Sequence, residues 1–102
     1  MEFRSVIGAG CATVFLEGRL AFNSYPEFRA ATWPLLEHPD VHEIHLDLAG
    51  VTFLDSSALG MILHFNQKAR LAKKGLALSR PSSAIATILR VVNFNKLVKV
   101  LP

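Results

Sequence analysis

Cysteine is all but missing from this chain. Cys11 stands alone among 102 residues, which excludes an internal disulfide framework and any CxxC metal pair. It sits in an apolar, strand-like run and reads as a small buried hydrophobe. Long apolar runs are missing too, and none approaches the length of a membrane span. The start, Met1-Glu2-Phe3-Arg4, lacks the basic head and apolar stretch of a secretory signal. The expectation is a cytoplasmic domain with no direct membrane insertion. Charge is sparse at 19% of residues, with a net +3. No Lys/Arg-rich run is interleaved with aromatics and no nucleic-acid motif is present, so nucleic acid is not an expected partner. There are no repeats, linkers or low-complexity segments.

Hydrophobic residues, by contrast, make up 51% of the chain. That is enough to build a core, and the length supports a single domain spanning residues 1–102. Glu2 to Ile7 alternates loosely and suits a short first strand, ended by Gly8-Ala9-Gly10. Cys11 to Leu16 is apolar on both faces, as a central strand should be. Gly18 marks a bulge or a close backbone approach within it, and Arg19 to Phe22 continues it. Asn23 and Ser24 are helix-capping residues with Pro26 in the first turn. Phe28, Ala31, Leu35 and Leu36 then recur at helical spacing up to His38, and Trp33-Pro34 bends or divides that helix.

Val41 to Leu48 is the plainest strand, with Ile44, Leu46 and Leu48 on one face. Glu43, His45 and Asp47 lie on the other, a solvated polar face too widely spaced for a shared metal ion. Ala49-Gly50 is read as a turn into Val51 to Leu54. From Ser57 to Lys73 the residues Ala58, Ile62, Phe65, Ala69 and Ala72 form an apolar helical stripe, with Gly75 as the residue that closes it. Leu76 to Ser79 makes a strand, and Ser82 or Ser83 caps a helix whose Ile85, Ile88, Leu89 and Val92 face inward. Leu97 to Leu101 makes the last strand. The order β-β-α-β-α-β-α-β predicts an α/β fold with a mixed, mostly parallel sheet and helices packed on it.

Between the strand ending at Leu54 and the helix lies Asp55-Ser56-Ser57, the one cluster of hydroxyls and carboxylate between two apolar runs. Asp55 and Ser56 sit where N-caps belong. On a helical projection Met61, His64 and Lys68 share a side with Ser57, about a quarter-turn from the apolar stripe. A phosphate on Ser57 would bring a charge of about −1.5 to −2 to a helix N-terminus, where the amides favour anions. A helix start of this kind also suits a nucleotide or another anionic metabolite. A hydrolase is disfavoured: no G-x-S-x-G elbow is present, and His64 lies two turns from Ser57.

The run Ile44-His45-Leu46-Asp47-Leu48-Ala49-Gly50-Val51-Thr52-Phe53-Leu54-Asp55-Ser56-Ser57-Ala58-Leu59-Gly60 resembles the signature of STAS domains. These are the domains of anti-sigma factor antagonists and of the cytoplasmic tails of sulfate transporters. Similarity extends upstream to Phe15–Leu20 and downstream through Lys74-Gly75-Leu76-Ala77-Leu78, covering nearly the whole chain. The resemblance implies a bacterial regulatory module that binds a protein, is not an enzyme and uses no cofactor. In the antagonist branch an ATP-using anti-sigma factor/serine kinase phosphorylates the second Ser of the corner, here Ser57, and a phosphatase restores it. The implied partner-binding residues are Asp55, Ser56, Ser57, Ala58, Leu59, Met61, His64 and Lys68, with Asn23 from the neighbouring turn. Ala21 stands where antagonists carry an acid, and the chain stops after its last strand where many of them add a helix. A second branch fits both departures: the STAS subunit of bacterial ABC lipid-transport complexes, which docks on its ATPase without phosphorylation.

Overall fold

A computed structural model describes residues 1–102. The strands are β1 (Glu2–Gly8), β2 (Cys11–Leu20), β3 (Glu43–Leu54), β4 (Gly75–Ser79) and β5 (Lys99–Leu101). The helices are α1 (Tyr25–Thr32), α2 (Ser56–Leu71) and α3 (Ser83–Val91), with 3-10 turns at Phe22–Ser24, Trp33–Glu37 and Phe94–Lys96. The element order is the one expected from the sequence. Spatial order follows chain order, β1-β2-β3-β4-β5, with β1 antiparallel to β2 and every other pair parallel.

Because each crossover steps one strand in the same direction, right-handed connections place all three helices on one face of the sheet. The core lies between those layers. Val14 and Leu16 of β2, Ile44 and Leu46 of β3, and Leu76 and Leu78 of β4 meet Phe28, Ile62, Phe65, Ile85 and Leu89 from the helices. Phe28 is wedged edge-on between Phe3 and Phe65, with ring centroids 6.3 and 6.0 Å away. The opposite face has no helix over it. There Arg4 stacks on Phe15 at 4.4 Å and Arg19 on Phe53 at 4.1 Å, shielding ring faces that no element covers.

Several local expectations change. Ala49-Gly50 is no turn: β3 runs unbroken for 12 residues. Against β2 it gains one residue between the pairs Phe15↔Asp47 and Glu17↔Gly50, and another between Gly18↔Val51 and Arg19↔Phe53. Those bulges change the spacing of buried residues from two to three at Leu48, Val51 and Leu54. Gly50 sits in a close approach, where a Cβ would lie 3.0 Å from the Leu16 carbonyl oxygen. The irregularity expected at Gly18 is present, with φ +107°.

β2 ends at Leu20, so Phe22 opens a 3-10 turn instead of extending the strand. The last strand starts at Lys99 instead of Leu97, because the turn at Phe94–Lys96 first buries Phe94. On α3 only Ile85 and Leu89 are buried; Ile88 and Val92 are exposed, since the three-residue β5 and the turn before it leave that flank uncovered. Gly75 does not close α2. Lys73 does, at φ +61°, with Lys73 N–H donating to Arg70 O and Lys74 N–H to Ala69 O, both at 2.9 Å. That is a Schellman motif built on lysine. Asp47, expected on a solvated face, is buried and accepts from Arg80 Nε at 2.7 Å and from Ala49 N–H at 3.0 Å.

Candidate functional site: the corner at the start of α2

Leu20 and Leu54 are paired neighbours at the ends of parallel strands, so the segments leaving β2 and β3 emerge side by side. Asp55 joins them. Its backbone is extended (φ −107°, ψ 179°), it caps α2 by accepting from Ala58 N–H at 2.8 Å, and its second oxygen faces Phe22 N–H at 3.4 Å. Its own N–H donates to Leu20 O at 3.4 Å. The Phe22–Ser24 turn is held from below by buried Ser24, whose hydroxyl donates to Arg19 O and accepts from Ala21 N–H, both at 3.2 Å. Asp55 is therefore the cap, and Ser56 is the first helical residue.

The side chains that Asp55 anchors point outward. Ser56, Ser57, Gly60 and Asn23 are exposed, and Phe22 is 73% exposed. An exposed phenyl ring thus stands beside two exposed hydroxyls at the electropositive end of a 16-residue helix. Further along α2, His64 is exposed while Leu59 and Lys68 are half-buried.

Two residues expected at this surface are not there. Ala58 is fully buried and Met61 is 8% exposed, both inside the core cluster. Met61 lies about 40° from Ser57 on the projection, toward the apolar stripe. A stripe is commonly 100° wide or more, and a flexible thioether chain at its margin folds inward.

Trp33 supplies what sequence reasoning missed. Its ring meets His64 edge-on at 5.6 Å, lies 4.1 Å from the Arg29 guanidinium and 5.8 Å from Lys68 Nζ. Beside it is an open depression of about 660 Å³ lined by Pro26, Arg29, Trp33, Pro34 and Leu36 among others. The only sequence signal was the Trp-Pro pair, which reads as a bend; its aromatic half belongs to the outer surface of α1 and α2.

No group of three or more His, Cys, Asp or Glu is placed to hold a metal. Glu43 and His45 form a 2.9 Å pair on the uncovered sheet face. The hydrogen bond with His45 holds the Glu43 carboxyl below its ordinary value against a smaller opposing effect of burial.

The family described as "Mlab, STAS domain" matches residues 5–100. The chain belongs to the STAS domain family. It is 33% identical over 88 residues to a STAS-domain containing protein of Pseudomonas aeruginosa (strain UCBPP-PA14), covering 86% of this chain and 85% of that one. Among solved structures, this STAS domain superposes on an anti-sigma factor antagonist from Mycobacterium paratuberculosis with a TM-score of 0.85, at 16% identity, over 99% of this chain and 85% of the other. Phosphorylated SpoIIAA of Bacillus gives a TM-score of 0.71 at 17% identity, covering 97% and 90%. The STAS domain of a SulP transporter from Vibrio cholerae gives 0.73 at 22%, covering 97% and 78%. At these identities the structural likeness establishes the fold. No helix is long and apolar enough to cross a membrane.

Proposed function

We propose that this STAS domain is a cytoplasmic docking module with no chemistry of its own, which binds an ATPase-type protein through the corner at the start of α2. The observation that carries this reading is the double role of Asp55. One carboxylate caps the helix that presents Ser56 and Ser57 and faces the turn that presents Phe22 and Asn23. Two exposed surfaces from distant parts of the chain are thereby held as one. His64, Lys68 and Trp33 extend it along α2.

Regulation in this reading is phosphorylation of Ser57 by an anti-sigma factor/serine kinase, reversed by a phosphatase. The exposed hydroxyl sits at the second position of α2, where a phosphate meets the helix dipole favourably. The fold then stays intact while the contact centre turns strongly negative. Ser57→Asp is expected to weaken capture of the ATPase-type partner in a pull-down, and Ser57→Ala to leave it unchanged. Equal capture of both variants would remove the switch.

A second reading is favoured by the family match itself and by Ala21, a neutral residue beside the corner. In it the domain is the constitutive STAS subunit of an ABC lipid-transport complex and docks on the ATPase without modification. Incubation with the cognate ATPase and ATP, followed by intact-mass measurement and site mapping, separates the two: a phosphate at Ser57 supports the switch, and stable co-purification without one supports the subunit.

A further inference from the structure

All eight acidic residues of the chain lie between Glu2 and Asp55, where only Arg4, Arg19 and Arg29 oppose them. Residues 56–102 hold the other eight basic residues and no acid. The first part therefore carries −5 and the second +8, which makes the net +3 an average of two opposite halves. The second half comprises α2, β4, α3 and β5.

In a parallel sheet the crossover helices run from the C-terminal ends of the strands back to their N-terminal ends. The C-termini of α2 and α3 therefore share one end of the molecule, opposite the Ser57 corner. Asn66 of α2 donates to Leu97 O, in the turn that follows α3, at 3.3 Å. At this end Leu71 is 79% and Val91 73% exposed, and Val92 and Leu97 are exposed as well. Arg70, Lys73, Arg90 and Lys96 are exposed around these aliphatic side chains. Other bases of this half are engaged: Lys74 donates to the His38 and Val41 carbonyls and Arg80 to Asp47. The acids nearest in the topology, Glu37, Asp40 and Glu43, belong to the α1–β3 connection and the start of β3, which β4 separates from β5.

Bases in the last turn of a helix complement its dipole, and that accounts for part of the cluster. It does not account for four exposed aliphatic side chains among them, nor for 47 residues without an acid. Exposed apolar residues with a basic surround fit an anionic, partly apolar surface. The high exposure of Leu71 and Val91 shows that they protrude, whereas residues lining a cleft for a peptide are shielded by its walls. A flat, deformable ligand meets protruding side chains from two helix ends at once. We propose that the end formed by the C-termini of α2 and α3 is a peripheral binding face for anionic phospholipid bilayers, with Leu71, Val91 and Leu97 entering the headgroup layer and Arg70, Lys73, Arg90 and Lys96 contacting phosphates.

The test is co-sedimentation of the full chain with vesicles of phosphatidylcholine alone, or of phosphatidylcholine and phosphatidylglycerol in equal parts. Binding is expected only with phosphatidylglycerol present and is expected to weaken as salt rises. Charge reversal at Arg90→Glu with Lys96→Glu should cut partitioning about tenfold or more. Val91→Asp should cut it as well, while Ser57→Asp should not. All of these positions are exposed, and unchanged thermal unfolding will verify the fold. Sedimentation with neither vesicle, equal sedimentation with both, or full binding by the charge-reversed variant would overturn the proposal. Capture of a polyglutamate peptide without vesicle binding would overturn it in favour of an acidic protein partner.

Discussion

The two ends of α2 solve the same problem in opposite ways, and the difference decides which side chains each end turns outward. At the start, unpaired amides are met by a side chain, Asp55, so the residues after it are left to face outward as small hydroxyls. At the finish, unpaired carbonyls are met by backbone, with Lys73 forced to positive φ. The residues there are left to face outward as long cations and aliphatics. The start is polar, compact and suited to receiving negative charge; the finish is cationic and greasy. Between them, Ile62, Phe65 and Ala69 are fully buried and belong to the core. The helix middle builds the fold, and its ends carry the exposed surfaces proposed above for docking and for membrane binding.

Met61 and His64 test that division most strongly, because a helical projection places both beside Ser57. Met61→Ala should destabilise the fold by about 2 kcal/mol through lost burial and a residual cavity. His64→Ala should change urea-unfolding stability by less than about 0.5 kcal/mol, as exposed substitutions do, yet weaken partner capture by removing an edge-on neighbour of Trp33. If both variants were equally unstable, the boundary between core and docking surface would lie elsewhere on α2.

Asp55→Ala comes next in size. Loss of an N-cap costs about 1 kcal/mol, read as a lower urea midpoint. The same change frees Phe22 from its tie to the corner, so partner binding should fall further than the small stability loss explains. Asp55→Asn keeps an acceptor for Ala58 N–H and should recover most of the stability.

Much of this arrangement is visible before any coordinates. The alternation at Ile44, Leu46 and Leu48, the helical stripe from Ala58 to Ala69 and the polar corner between them follow directly from two periodicities and a cap. What stays hidden has local physical causes. The bulges in β3 are masked because Ala49-Gly50 has the chemistry of a turn, and only the sheet shows how closely Gly50 approaches Leu16. Asp47 reads as solvated because its partner Arg80 lies 33 residues away and reaches it from the end of β4. Phe22 reads as strand because an exposed aromatic has the same composition as a buried one. Its contact with Asp55 is again a long-range one.

Lys73 yields the smallest effect and the sharpest separation. A side chain at φ +61° meets steric resistance that glycine avoids. Lys73→Gly removes that resistance, at the cost of a more flexible unfolded chain, and the net gain should be about 0.5 kcal/mol. It should appear as a slightly higher urea midpoint. The same substitution takes one cation from the end formed by α2 and α3, so partitioning onto phosphatidylglycerol vesicles should fall several-fold. Partner capture at the Ser57 corner, a helix length away, should not change. Stability, membrane binding and docking thus move in three different directions on one substitution: up, down and not at all. A lysine that served only to close the helix would move the first alone.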